Sequence, residues 1–381
     1  MSAALYIGLM SGTSTDGVDG LLLDCAAPPH QAVRAFASRP FADSLRAEFL
    51  ALNDAGHNEL HRAALAGNAL ARVYAQVVAD LLAQTGLQAQ HIQAIGAHGQ
   101  TVRHQPQMHD ACGYTLQINQ AALLAELTGI TTVADFRSRD LAAGGQGAPL
   151  TPLFHRAWWG AQTAGAVAVV NIGGISNLSL WQGDALMGFD CGPGNALMDA
   201  WISSQRGEHF DESGCWAASG RVQEGLLAQM LAEPYFQQAA PKSTGRDLFS
   251  LAWLEQQLQM QINAGLRFAA QDVQATLLEL TARTIADSLV AACGLGHQHN
   301  ALGALVVCGG GAYNVALMQR LQSLLPQLQV QSSQAYGLAP NQVEAAAFAW
   351  LAQAALERRA LPVAGITGAR GARVLGCIYP A

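Results

Sequence analysis

Short apolar runs alternate with glycine-rich polar turns along the 381-residue chain, and longer stretches of helical spacing lie between them. Tyr6 to Met10 is apolar, Ser11 to Gly17 is a run of turn residues, and Val18 to Leu23 is apolar again with Asp19 embedded. Two glycines among β-branched and turn residues disfavour a helix. Leu5 to Asp24 therefore predicts a hairpin with a seven-residue polar tip. Leu60, Ala64, Leu65, Val73, Val77 and Leu81 recur at near-helical spacing and predict a helix from Leu60 to Leu82, with Gly86 as its stop. Ile92 to Ala97 reads as a short strand ending in His98-Gly99-Gln100-Thr101. Gln120 to Thr128 reads as a helix ended by Gly129, and Ile130 to Ala134 as a strand leading into Asp135-Phe136-Arg137. Residues 144–149 read as a loop.

A second block opens near Ala166. Ala166 to Val170 has the continuous apolar character of a buried strand. It ends in Asn171-Ile172-Gly173-Gly174-Ile175-Ser176-Asn177 and returns as Leu178 to Trp181. Strand, glycine tip and strand have recurred about 160 positions on, which suggests two halves built alike. Met187-Gly188-Phe189 leads to Asp190-Cys191-Gly192-Pro193-Gly194-Asn195, and a helix starts near Ala196. Val273 to Ala292 is helical. Ala304 to Cys308 is a strand that runs into Gly309-Gly310-Gly311 and a helix with Asn314 near its N-cap. The final helix spans Asn341 to Leu356 and is expected to pack back on the first half.

Composition narrows the class. Hydrophobic residues at 51% can build a sizeable core, and charged residues at 12% exclude a disordered, highly charged chain. A net charge of −7 disfavours general nucleic-acid binding. The 39 glycines are too many for a helix bundle. No apolar run reaches the ~18–20 residues that span a bilayer, and Met1 to Leu5 lacks the basic start of a signal peptide. The seven cysteines are dispersed without a Cys-x-x-Cys pair, against a disulfide framework or structural zinc. The expectation is a cytoplasmic enzyme that binds neither nucleic acid nor membrane.

The two hairpin tips can offer backbone N–H groups and hydroxyls to phosphate oxygens, and the Gly309–Gly311 turn places a helix N-terminus beside a nucleotide. A Walker P-loop is absent from the sequence. The ordered triplet resembles the actin/sugar-kinase/Hsp70 superfamily. Within it, Met10-Ser11-Gly12-Thr13-Ser14-Thr15-Asp16-Gly17-Val18-Asp19 resembles the opening of the anhydro-N-acetylmuramic acid kinases. So do the His98, Asp135, Asn171 and Asp190 runs quoted above, Gly144-Gly145-Gln146-Gly147-Ala148-Pro149, Lys242-Ser243-Thr244-Gly245-Arg246 and Cys308-Gly309-Gly310-Gly311-Ala312.

The resemblance implies an α/β chain of two ribonuclease-H-like, actin-like ATPase domains, over 1–165 and 166–381, with an ATP cleft between them that closes on substrate. It implies phosphorylation of 1,6-anhydro-N-acetylmuramic acid at O6 while water opens the anhydro bridge. ATP is the donor, and Mg²⁺ is held mainly through its phosphates. The nucleotide residues it implies are Gly12, Thr13, Ser14, Thr15, Asp16, Gly17, Val18, Asp19, Gly173, Gly174, Gly309, Gly310 and Gly311. Asn171 stands where many superfamily members carry Asp, so the metal ligands stay unassigned.

Asp190, before Gly192-Pro193-Gly194, matches the family's catalytic aspartate. The residues alone allow a carboxylate that merely satisfies turn N–H groups equally well. Asp16 is a phosphate-side carboxylate or the Asp of an Asp-Gly turn. His98, Gln100, Asp135 and Arg137 are sugar-binding candidates, with Arg137 suited to the lactyl carboxylate. His98 is otherwise a histidine bonded to a nearby loop, and Arg137, like Arg139, a solvated residue. Lys242 and Arg246 read as a phosphate or substrate contact or as a solvated loop. His104, His109, His297 and His299 read as surface-loop residues. Trp158-Trp159 reads as core or dimer surface, and a homodimer is left open. The alternatives are a kinase of an ordinary sugar hydroxyl and a non-metabolic ATPase module.

Overall fold

In the computed structural model, residues 3–12, 14–160, 166–182, 185–245, 248–293 and 302–381 are described. The first strands are β1 (Leu5–Ser11), β2 (Gly17–Asp24), β3 (Val33–Pro40), β4 (Ala94–Pro106), β5 (Gly113–Ile118) and β6 (Thr132–Ala134). They are followed by β7 (Ala166–Ile172), β8 (Ile175–Gln182), β9 (Ala185–Pro193), β10 (Leu302–Cys308), β11 (Gln329–Ser332) and β12 (Cys377–Tyr379). The chain forms two compact units, Met1–Trp158 with Tyr336–Ala381, and Trp159–Ala335.

The first unit holds the sheet β12-β6-β4-β1-β2-β3, with β5 added on β4. β1, β2 and β3 form an antiparallel meander, β4 lies parallel to β1, and β6 lies parallel to β4. The second unit holds β11-β10-β7-β8-β9. Here β7, β8 and β9 are the meander, β10 is parallel to β7, and β11 is parallel to β10. With β5 set aside and the other strands numbered by appearance within each unit, both cores read third, second, first, fourth, fifth, with the same sense at each step. This is the ribonuclease-H-like topology, present twice.

The helix Glu59–Thr85 ends at Gly86 in the left-handed region (φ 66°). It buries Leu70, Tyr74, Val77 and Leu81, one helical stripe, in the core made with Ile7, Leu9, Val18 and Leu22. The helix Val343–Leu356 belongs to the first unit and lies on β1 and β4. It comes so close because Gly8 and Gly96 are register partners on those strands. A Cβ at Gly8 would meet Ala345 O, and one at Gly96 would meet Phe348 O. An alanine-rich helix over paired glycines allows backbone-to-backbone approach. In the second unit, the helix Ala270–Ala292 packs Leu277, Leu280 and Ile285 with Val170, Ile172 and Leu178.

Two expectations need correction. The strand expected to stop at Ala97 continues to Pro106 and pairs with β5, a strand the pattern did not reveal. His104 therefore lies on β4, not in a surface loop, with Nδ1 3.0 Å from Thr115 Oγ1. Burial and the Arg137 charge push His104 down to about 4. His109 is in an exposed turn, and His297 and His299 fall outside the described residues. Among the described residues no helix is long and apolar enough to cross a membrane.

Candidate active site

In the first unit, β1 and β2 pair from Leu5 with Asp24 to Met10 with Asp19, which leaves 12–16 as the tip. The Thr15 N–H donates to Gly12 O at 3.1 Å, with Thr15 at φ 56°. Ser14 Oγ donates to Asp16 Oδ1 at 2.7 Å. Thr13 lies outside the described residues, and Val18 is fully buried. Beneath the tip, buried Gln100 donates from Nε2 to Gly12 O at 3.1 Å and accepts from Ser11 Oγ at 2.7 Å. Both ends of its amide thus fix the base of the tip. Asp19 is pushed up to about 6 by burial, with the Asp16 charge adding and a Ser38 hydrogen bond opposing.

His98 and Arg137 are brought together. His98 Nε2 accepts from Arg137 Nη2 at 2.8 Å and Nε at 3.2 Å, and Arg137 Nη1 donates to Gly147 O at 2.6 Å. Accepting at Nε2 puts the ring proton on Nδ1. Burial, then the Arg137 charge, pushes His98 down to about 3, so the ring is a neutral acceptor that orients the guanidinium. Asp135 sits just past β6 at φ 52°, and its Oδ1 accepts from the Ser138 N–H at 3.2 Å at the start of the helix Ser138–Ala142. The 144–149 loop is organised by Asp140, which the sequence reading missed. Fully buried, Asp140 accepts from the Gly147 N–H at 2.7 Å and from Thr367 Oγ1 at 2.8 Å.

In the second unit, Gly173-Gly174 joins β7 to β8. The Gly194 and Asn195 N–H groups donate to Gly174 O and Gly173 O at 2.9 and 2.8 Å, tying this tip to the start of the helix Ala196–Arg206. Gly309 follows β10 at φ 76°, where a Cβ would press on Asn171 Oδ1 and Ile172 O. The third glycine turn is thereby seated against the end of β7. Asn314 caps the following helix, Val315–Leu324, by accepting from the Leu317 N–H at 3.0 Å.

Asp190 lies near the end of β9, across from Asn177 on β8, and is 6% exposed. Its Oδ2 accepts from the Thr244 N–H at 3.0 Å, and its carbonyl accepts from the Tyr235 hydroxyl at 2.8 Å. Lys242 is buried and not solvated, with Nζ donating to Tyr235 O and Phe236 O. Arg246 lies outside the described residues. Among the described residues no three His, Cys, Asp or Glu side chains group as metal ligands.

A doubled ribonuclease-H-like core, with a glycine tip in the first turn of each half and a glycine turn after the fourth strand of the second, defines the actin-like ATPase and sugar-kinase class. The family model for anhydro-N-acetylmuramic acid kinase matches residues 4–381. A protein of that name from Variovorax paradoxus (strain S110) is 59% identical over 387 residues, covering 100% of both chains. Another from Albidiferax ferrireducens is 54% identical over 398 residues, covering 99% of both. The chain belongs to the anhydro-N-acetylmuramic acid kinase family. Among solved structures, a ROK family glucokinase from Streptomyces griseus in complex with glucose and AMPPNP matches with a TM-score of 0.42 and 12% identity, over 91% of this chain and 99% of its own. That distant likeness adds nothing to the topology above.

Proposed function

We propose that this chain is the ATP-dependent kinase that opens the 1,6-anhydro bridge of 1,6-anhydro-N-acetylmuramic acid and phosphorylates O6, giving N-acetylmuramic acid 6-phosphate and ADP in cell-wall recycling. The carrying observation is Asp190, a carboxylate fixed at the end of β9 by the Thr244 N–H and by contacts to its own backbone. O6 is tied into the bridge and is a poor nucleophile until the C1–O6 bond loosens. Water must therefore add at C1 while O6 takes the phosphoryl group. Asp190 takes the proton from that water and steadies the positive charge developing at C1.

Residues 12–19 suit phosphate binding, as do Gly173 and Gly174, and Gly309 to Gly311 suit adenosine binding. Asp16 and Asp19 suit Mg²⁺ carried on the ATP phosphates. Their oxygens are hard ligands, and the raised Asp19 carboxyl beside Asp16 is the state a cation relieves. When bound, Mg²⁺ neutralises charge on the phosphoryl oxygens. Arg137, aimed by neutral His98, takes the lactyl carboxylate, and Asp135 a sugar hydroxyl. Gln100 supports the tip whose Gly12 carbonyl it holds. We place the reaction in the cytoplasm, in keeping with the thiols of Cys25, Cys112 and Cys215, which form no disulfide.

The Asp190→Asn variant should keep ATP and sugar binding and lose roughly 10²–10⁴-fold in turnover, the usual contribution of a general base. In ¹⁸O-labelled water, early product should carry the label at C1. Label in the phosphate would mean that water attacked phosphorus, and the chain would act as an ATPase.

A further inference from the structure

The Lys242 to Gly245 run has no task in the phosphate or sugar chemistry above, yet it lies against Asp190. The Asp190 N–H donates to Lys242 O at 3.0 Å. The Tyr235 hydroxyl donates to Asp190 O at 2.8 Å, and the Thr244 N–H to Asp190 Oδ2 at 3.0 Å. All three partners come from one stretch, residues 235–244. Lys242 closes that stretch on itself. Its Nζ donates to Tyr235 O at 3.1 Å and Phe236 O at 3.3 Å, and sits 4.6 Å from the centre of the Tyr235 ring.

An ammonium 6% exposed is expensive to keep. Burial pushes its pKa down from the ordinary lysine value, and the neighbouring Cys191 and Asp190 oppose that shift. An uncharged side chain of similar length would fill the space without the desolvation penalty, so packing alone does not account for a lysine here. A cavity of about 500 Å³ opens beside it, lined in part by Phe189, Phe236, Gln238, Lys242, Thr284 and Ser288.

We infer that Lys242 is a positioning residue for Asp190: its ammonium latches the 235–244 stretch, and the latched stretch aims the carboxylate. Lys242 touches no reacting atom in this scheme. The inference rests on Asp190 being the base. Misplacing a reacting group by about 1 Å costs on the order of 10²-fold.

The test compares Lys242→Met, Tyr235→Phe, Asp190→Asn and the Lys242→Met/Asp190→Asn double variant in the full chain. Lys242→Met should lower kcat about 10²-fold and leave both KM values within about twofold. Tyr235→Phe, which deletes one hydroxyl and leaves the packing intact, should lower kcat by a smaller factor in the same pattern. On the Asp190→Asn background, Lys242→Met should cost less than about threefold more, because a positioning residue has nothing left to position. Lys242→Ala should regain turnover with propylammonium, which the cavity can admit, and not with propanol. An undiminished loss in the double variant, or a raised KM with unchanged kcat, overturns the inference. Should Lys242→Met not fold, Tyr235→Phe and the amine rescue decide alone. Inactive Asp190→Asn beside fully active Lys242→Met and Tyr235→Phe removes the latch and spares the base. Fully active Asp190→Asn removes the base, and the latch with it.

Discussion

His98 shows how one buried ring sets the state of its neighbour. Its folded-state value of about 3 lies below the ordinary 6.5. Below pH 6.5 the unfolded chain binds a proton at this ring that the folded chain refuses, so stability is present above that pH and is lost as pH falls toward 3. Between pH 7 and 5 the loss amounts to about 2 kcal/mol for one such histidine. His98→Gln can still accept from Arg137 but does not titrate. Urea unfolding of wild type and His98→Gln across that range should give curves whose difference changes by about this amount. A constant difference would mean that His98 takes up its proton at the same pH in the folded and the unfolded chain. At this scale the sequence was partly legible. Asp190 stands out because an apolar run ends there before Gly-Pro-Gly, a local signal. Tyr235 and Thr244 are its partners from 45 and 54 positions away, and no spacing rule links them. Lys242 looked like an outward-facing cation because lysines are rarely buried. Only tertiary contacts reveal that its amine is turned onto backbone carbonyls.

The pairing of Gly8 and Gly96 under the helix Val343–Leu356 is the tightest element contact in the first unit that the sequence left unmarked. Gly96→Ala sets a methyl against Phe348 O and should destabilise the protein by roughly 1–3 kcal/mol, as overpacking does. Gly303, on β10, has no atom of the described residues within 4 Å of a built Cβ, and Gly303→Ala should shift stability by less than about 0.5 kcal/mol. Denaturation midpoints compare the two, and equal midpoints would mean that the helix has room to lift. The helix was foreseeable from its composition, but its orientation was not. Ala345, Ala346, Ala347, Phe348 and Ala349 are all buried in succession, so no polar face marks the outside. β5 went unseen for a related reason. Its Gly113, Thr115 and Gln117 alternate with Tyr114, Leu116 and Ile118, but burial inverts the pattern: Thr115 is buried beside His104, Gln117 bonds Thr101, and Leu116 is exposed. The two tips were easy by comparison, because strand, glycine and strand lie within one local stretch.

At the scale of the whole molecule, the first unit is built from two separated stretches, Met1–Trp158 and Tyr336–Ala381, and the second from one, Trp159–Ala335. The core of the second unit runs from Ala168 to Leu328 without borrowing from outside. A fragment of residues 159–335 should therefore unfold cooperatively by itself. Residues 1–158 lack the helix that covers Gly8 and Gly96, and should gain a cooperative melting transition only when residues 336–381 are supplied as a second chain. Circular dichroism of the three samples checks this, and a sharp transition in 1–158 alone would show that the helix is dispensable. A ribosome emits residues in numerical order, but this chain cannot mature in that order. The β1–β4 face emerges early and must wait, uncovered and prone to sticking, while the later-made unit folds ahead of it. Protection by a holdase chaperone should then matter most during the second half of synthesis, and a slowed ribosome between residues 159 and 335 would prolong the vulnerability of a part of the protein already made.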